Sequence, residues 1–596
     1  MNAPVKTDTL PEWRLDDLYA GRDDPRIEAD LDKARKAAAE LKAHEGQLIA
    51  DRAAPEALGR RLDAGIALYE LGTNALFGVG AYASLSASTA RDNPAWAKFE
   101  ADFRAKAAQI GAETLWFTLE INQLEDDELE AALSAHAPAA RWRPWLRRVR
   151  LSRPHELSAD LERLMIDRGP GVANWVRLYD ETLARLTAKV GGETLTLPEA
   201  LNRLSDPDAG QRKRAAQGLA KALEARTSTL ALCLNTLAYE KQVDDRWRKY
   251  PDPAASRHLA NEVDADAVEA LVEAVTEAYP AVSHRYYALK AKVMGRKTLD
   301  YWDRNAPLDT APPRLYGWDE AQKIVLDSFA ALAPRFADTA QTFFRQPWID
   351  ARPRAGKQSG AYSHPVAADR HPYVFMNYMG ERRDVLTLAH ELGHAVHQTL
   401  CAPLGTLLAD TPLTLAETAS IFGEGLVFER LLANATPEER RGLLAGKIED
   451  GLNTVVRQIA FHKFETAFHA ARQTGELAPE EISEIWLKVM GESLGPAIKL
   501  NAGYEHYWAY VSHFAHAPFY VYAYAFGDLL VRGLMEARRA DPQGFAPLYE
   551  GLLAAGGSKT YVEALAPFGL NPREKAFWAA GMQQIERLVD EFEALV

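Results

Sequence analysis

Residues 381–400 read ERRDVLTLAHELGHAVHQTL. Apolar Val385, Leu388, Leu392, Val396 and Leu400 recur at steps of three and four, the period of an amphipathic helix with one buried face. Within it, His390-Glu391-Leu392-Gly393-His394 forms an H-E-x-x-H motif. Histidines four apart on a helix differ by about 40° around the axis and about 6 Å along it, so both imidazoles reach one ion. Glu391 sits one residue on, beside the ion, where it can take a proton from water held there. With 15 histidines in 596 residues, a random chain would show about 0.03 such matches. Gly393 is costly in a helix interior, by about 1 kcal/mol relative to Ala; close packing of another element would justify it.

A catalytic zinc site needs a third protein ligand and an open position. A metzincin would place Gly at position 397 and His at position 400, where this chain has His397 and Leu400. A glutamate on a following helix is the other solution, and the segment 414–424 offers Glu417 and Glu424. Seven residues apart, they share a helix face but stand about 10.5 Å apart along the axis, so one ion does not take both. Glu417 is read as the ligand and Glu424 as a group orienting a ligand imidazole. His397 extends the His390–His394 stripe axially and reads as packing or as a contact behind the ligands, not as a ligand.

The 47% hydrophobic and 26% charged composition is that of a globular chain, not a disordered or fibrous one. Lys+Arg 69 against Asp+Glu 83 leaves −14, with no basic stripe, which argues against nucleic-acid binding. No signal-like run opens the chain and no uncharged apolar stretch is long enough for a membrane span. With only two cysteines, Cys233 and Cys401, a cytoplasmic location is expected. From Arg26 to about Ala291 helical periodicity dominates, with breaks expected at Asp23-Asp24-Pro25, Gly169-Pro170-Gly171, Gly191-Gly192 and Pro251-Asp252-Pro253. Between Thr298 and Gly380, Pro307, Pro312, Pro313, Pro347, Pro353, Pro365 and Pro372 forbid a continuous helix, although Asp319 to Thr342 can hold one. Lys357 to Ser363 and Tyr373 to Tyr378 read as extended. The expectation is a mostly α fold with a small β element before the motif, divided into a helical lobe 1–297 and a catalytic lobe 298–596.

Hydrolysis of a peptide bond builds negative charge on the carbonyl oxygen, and donors aimed at it stabilise the transition state. The stretch 504–527 is dense in polar-tipped rings. Helical spacing puts His513, His516, Tyr520 and Tyr524 on one face; Tyr522 points away unless Pro518 breaks the helix.

Together these segments resemble the M3 family of zinc metallopeptidases, in its oligoendopeptidase F branch. The resemblance runs through Leu10–Tyr19, Tyr301-Trp302-Asp303-Arg304, Lys357–Tyr362, His371–Ala389 into the zinc motif, Ala416–Ser420 and Phe519–Tyr522, in family order. It implies a large two-lobed helical zincin with a deep substrate channel and one Zn2+ held by His390, His394 and Glu417. Glu391 would be general base and later proton donor, with His513 and a tyrosine of 520–524 on the oxyanion. The family's Y-x-Y pattern points to Tyr522 and helical geometry to Tyr520; His516 stands beside His513 as a rival. Gly360, Ala361 and Tyr362 would lie along the substrate backbone by β-augmentation, with His516 and Tyr524 also contacting substrate.

The resulting expectation is a zinc endopeptidase cutting internal bonds of short unfolded oligopeptides. A helical zinc carboxypeptidase is the alternative, and an inactive peptide-binding protein a weaker one, since metal binding alone does not require Glu391.

Overall fold

Prolines set where several helices begin, among them the two longest of the described residues. Pro25–Lys42, Pro55–Thr89 and Pro94–Gln123 each carry proline in the first turn, where its missing N–H costs nothing and its φ is already helical. Asp24 and Asn93 cap two of them by accepting from the Arg26 and Ala95 amides. The computed structural model describes residues 9–308 and 314–596; Pro312 and Pro313 of the proline series lie outside the described residues. Helices dominate throughout, as expected, with a few short strands. Among the described residues no helix is long and apolar enough to cross a membrane.

The chain forms two compact units, each assembled from three stretches. The first comprises 9–153, 314–433 and 537–569. Leu58, Leu62, Ile66, Phe117, Ile121 and Trp142 pack there with Leu407 and Leu408. Its sheet has Tyr373–Phe375 at the centre, with Ile349–Asp350 parallel on one side and Tyr362–His364 antiparallel on the other. Lys357 and Asp350, both fully buried, pair at 2.6 Å behind this sheet. The extended stretch therefore starts later than expected: Gly360 adopts φ +90° in a bend, Ala361 is unpaired, and only Tyr362 joins the strand. The Asp319 to Thr342 segment is two helices, Trp318–Ala330 and Pro334–Arg345, because Pro334 starts a new one.

The second unit comprises 154–308, 434–536 and 570–596. Helices Thr227–Trp247, Arg457–Arg472, Pro479–Leu494 and Lys575–Glu593 run through it. A linear division at 297/298 does not describe these units. Helical periodicity shows which face of a helix is buried but not which distant helix buries it.

Two expected breaks resolve differently. Gly191-Gly192 is the turn of a hairpin, with φ +58° and +93°, joining Thr187–Val190 to Glu193–Thr196. Two residues with positive φ suit the right-handed twist of paired strands. Gly169-Pro170-Gly171 does not interrupt Ala159–Ala184, which carries Pro170 inside. The carbonyl that Pro170 leaves unpaired belongs to Ile166, which is 70% exposed and open to water.

Candidate metal centre

The motif lies on Arg382–Cys401, started by a capping box between Glu381 and Asp384. Val385, Leu388, Leu392 and Val396 are fully buried and Leu400 is nearly so, as the periodicity required. A second helix, Thr418–Ala433, crosses it at very short range. A Cβ added to Gly393 would stand 2.4 Å from the Ala419 carbonyl oxygen, and one on Gly423 would stand 3.1 Å from that of Ala389. Only paired glycines let these backbones approach so closely, and this approach carries Glu417 to the motif histidines.

Glu417 occupies the junction between Leu413–Ala416 and Thr418–Ala433. Its Oε2 lies 3.4 Å from His390 Nε2 and 3.4 Å from His394 Nε2. Donors about 2.1 Å from one tetrahedral ion stand about 3.4 Å from each other, so these separations fit one cation. All three ligand atoms lie within 4.8 Å of one another. The Ser420 hydroxyl donates to Glu417 Oε2 at 2.7 Å and holds it in place. Glu424 Oε2 is 3.6 Å from His390 Nδ1, on the far side of the ring from Glu417.

The electrostatics also suit a cation. Burial resists charge on Glu417, but His394, His390 and Ser420 outweigh it and hold its carboxyl down at about 2. Burial likewise resists charge on His390, but Glu424, Glu391 and Glu417 draw it upward. Carboxylates converging on two imidazoles make a negative focus that a divalent ion would neutralise. His397 is outside this set: buried, with its imidazole pushed down to about 4 by burial and hydrogen-bonded to the Ala416 backbone.

Glu391 is 6% exposed, and burial raises its carboxyl above the usual range, opposed by charge on His390 and His394. It accepts a hydrogen bond from the Ser363 backbone, on the strand Tyr362–His364. The Ser363 hydroxyl donates to Gln398 Oε1 at 2.9 Å, which ties this edge strand to the motif helix. Ser420, Ser363 and Gln398 went unnoticed in the sequence. Ser420 had a signal, three residues after Glu417; the other two meet the motif only through the tertiary fold.

The second unit holds the aromatic segment. It is not one helix: His513–His516 ends before Pro518, Phe519 adopts φ +61°, and helix resumes at Tyr522–Ala540. His513, Tyr520 and Tyr524 nevertheless gather, with His513 Nε2 3.1 Å from the Tyr524 hydroxyl and the Tyr520 ring 6.3 Å from that of His513. Burial and His516 lower the His513 imidazole pKa. His516 departs from the expected face and pairs with Asp180 at 2.7 Å. Tyr522 is fully buried, with its hydroxyl 3.0 Å from His258 Nδ1 and accepting from Asn261 Nδ2 at 2.9 Å. It is an anchor of this segment, not an open donor.

A family model described as "Peptidase family M3" matches residues 203–584, and one described as "Oligopeptidase F" matches 120–187. Oligopeptidase PepF of Bacillus subtilis is 25% identical over 502 residues, covering 82% of this chain and 74% of its own. Group B oligopeptidase PepB of Streptococcus agalactiae is 26% identical over 522 residues, covering 84% and 85%. Among solved structures, a chain from Chlamydophila abortus superposes with TM-score 0.88 at 22% identity over all of both chains. Oligoendopeptidase-F from Enterococcus faecium superposes with TM-score 0.69 at 20% identity, over 96% of this chain and 99% of that one. The motif helix, its crossing glutamate and the span of the family match lead to one conclusion: the chain belongs to peptidase family M3, in its oligoendopeptidase F branch, and is a metalloendopeptidase.

Proposed function

We propose that the protein cuts internal bonds of short unfolded oligopeptides at one zinc ion held by His390 Nε2, His394 Nε2 and Glu417 Oε2. The pair of 3.4 Å separations at Glu417 carries this reading. When bound, zinc supplies a Lewis acid at the scissile carbonyl.

The remaining work falls to the protein's own side chains. Glu391 takes a proton from the attacking water on its carboxylate and later delivers it to the departing amine. Its burial keeps that carboxyl more basic than a solvated glutamate, and the Ser363 amide holds its orientation. Glu424 faces His390 Nδ1, which leaves Nε2 free to ligate. His513 with Tyr524 or Tyr520 is the donor group for the oxyanion, supported by their mutual contact within the second unit. Residues Gly360, Ala361 and Tyr362 lead into an edge strand, the element that β-augmentation by an extended peptide uses.

A peptide blocked at both ends tests the reading, with products identified by mass spectrometry. Internal cuts that stop with 1,10-phenanthroline and return with Zn2+ are expected. Chelator-insensitive cleavage, or none, would overturn it.

A further inference from the structure

Within the second unit, a cavity of about 240 Å3 lies among Tyr301, Arg304, Arg457, Tyr504, Tyr507 and Tyr510. Three of its wall tyrosines are buried: Tyr301, Tyr504 and Tyr507 are 6%, 5% and 3% exposed. The Tyr504 ring stands 4.8 Å from that of Tyr301 and 5.0 Å from that of Tyr507.

The two arginines lack a counter-charge. Among the described residues, no carboxylate forms an ion pair with Arg304 or Arg457, and the acids around them are committed elsewhere. Asp303 pairs with Arg212 at 2.7 Å and also with Arg296. Glu449 accepts from Lys290 Nζ and the Tyr286 hydroxyl, each at 2.6 Å. Arg457 Nη2 donates to the Tyr510 hydroxyl at 3.2 Å, but its Nε is buried and has no acceptor. Burial opposes the charge on Arg304, and Glu449, although committed to Lys290, favours it; an arginine guanidinium stays protonated in either case. Desolvated cations without a partner are unfavourable, and a guanidinium fork matches the paired oxygens of a carboxylate or phosphate.

We propose that this cavity binds a small oxyanion, carboxylate or phosphate, bridging Arg304 and Arg457 with its remaining atoms against the tyrosine rings. The site shares no residue with the proposed peptidase machinery, so the two readings fail independently.

Isothermal titration calorimetry on the full chain tests it with three probes: sodium phosphate, N-acetyl-L-tyrosine, and the uncharged N-acetyl-L-tyrosinamide. Saturable binding of phosphate or of N-acetyl-L-tyrosine is expected, with the amide at least about tenfold weaker than the acid. Phosphate alone would assign a phosphoryl ligand, and N-acetyl-L-tyrosine alone a carboxylate. Arg304→Gln should weaken the bound anion by about tenfold or more. Arg457→Gln should do the same, with circular dichroism confirming the fold of both variants. No saturable heat from either anion up to about 10 mM, an amide as tight as the acid, or unchanged affinity in folded Arg457→Gln would overturn the proposal.

Discussion

Glu391 is buried beside two imidazoles, yet its carboxyl is held to a strand and not to the candidate ligand set. Glu391→Gln keeps the shape and removes the basic oxygen. Cleavage of a quenched peptide should fall by about 10²–10⁴-fold while metal analysis still finds zinc. Glu417→Ala removes a ligand atom, and zinc occupancy should drop in the same analysis. Ser420→Ala removes only the 2.7 Å hydroxyl that steadies Glu417; a competing chelator should then extract zinc at about tenfold lower concentration. At this scale the histidine pair was readable because a helix converts a spacing of four into adjacency. Glu417 was readable as a residue type at a plausible distance, although it sits at a helix junction and not within a helix. Tyr522 was not readable: the sequence shows a Y-x-Y pattern, but only the fold reveals His258 and Asn261 around its hydroxyl.

At the scale of elements, the crossing of the two helices controls whether a metal can be held. Gly393→Ala would force a methyl to 2.4 Å from the Ala419 carbonyl oxygen. Overpacking of this kind costs about 1–3 kcal/mol. The variant should melt at lower temperature and bind zinc less tightly, because residues 419 and 420 adjoin the Glu417 ligand. A Gly393→Ala protein with unchanged melting and zinc affinity would contradict the close crossing. The sequence hinted at this approach, since a glycine inside a helical pattern needs a reason, but it did not name Gly423 opposite. The hairpin at Gly191-Gly192 was legible from its turn chemistry yet was read only as a helix break. Pro170 misled in the other direction, because water can satisfy an exposed carbonyl that a core could not.

Across the whole molecule, stability should depend on pH through buried groups of the second unit that are not in the candidate ligand set. Glu465 is buried, accepts from the Phe519 amide at 2.7 Å, and burial lifts its carboxyl to about 8. A carboxyl raised in the folded state stabilises fully below its unfolded pKa, and that contribution is lost as pH rises toward 8. His462 and His469, pushed down to about 3 by burial, act oppositely: folding weakens as pH falls below their unfolded value. Glu465→Gln keeps an acceptor for Phe519 and removes the alkaline loss. Its melting temperature should therefore exceed that of the parent near pH 8 by more than near pH 5, in calorimetric scans; equal differences would refute the assignment. None of this was visible beforehand, because sequence pattern does not tell a buried glutamate from a solvated one. The division into units was hidden for the same reason.

That division has a consequence for synthesis. Leu407 and Leu408 complete a cluster begun by Leu58 and Leu62, and the first unit draws its last stretch from 537–569. A nascent chain can pack Leu58, Leu62, Phe117 and Trp142 against one another early, but the unit that carries Glu391 is complete only when residues 537–569 have left the ribosome. Glu391 and its neighbours come under tertiary control only afterwards, a delay that would keep a peptidase idle while it is still being made.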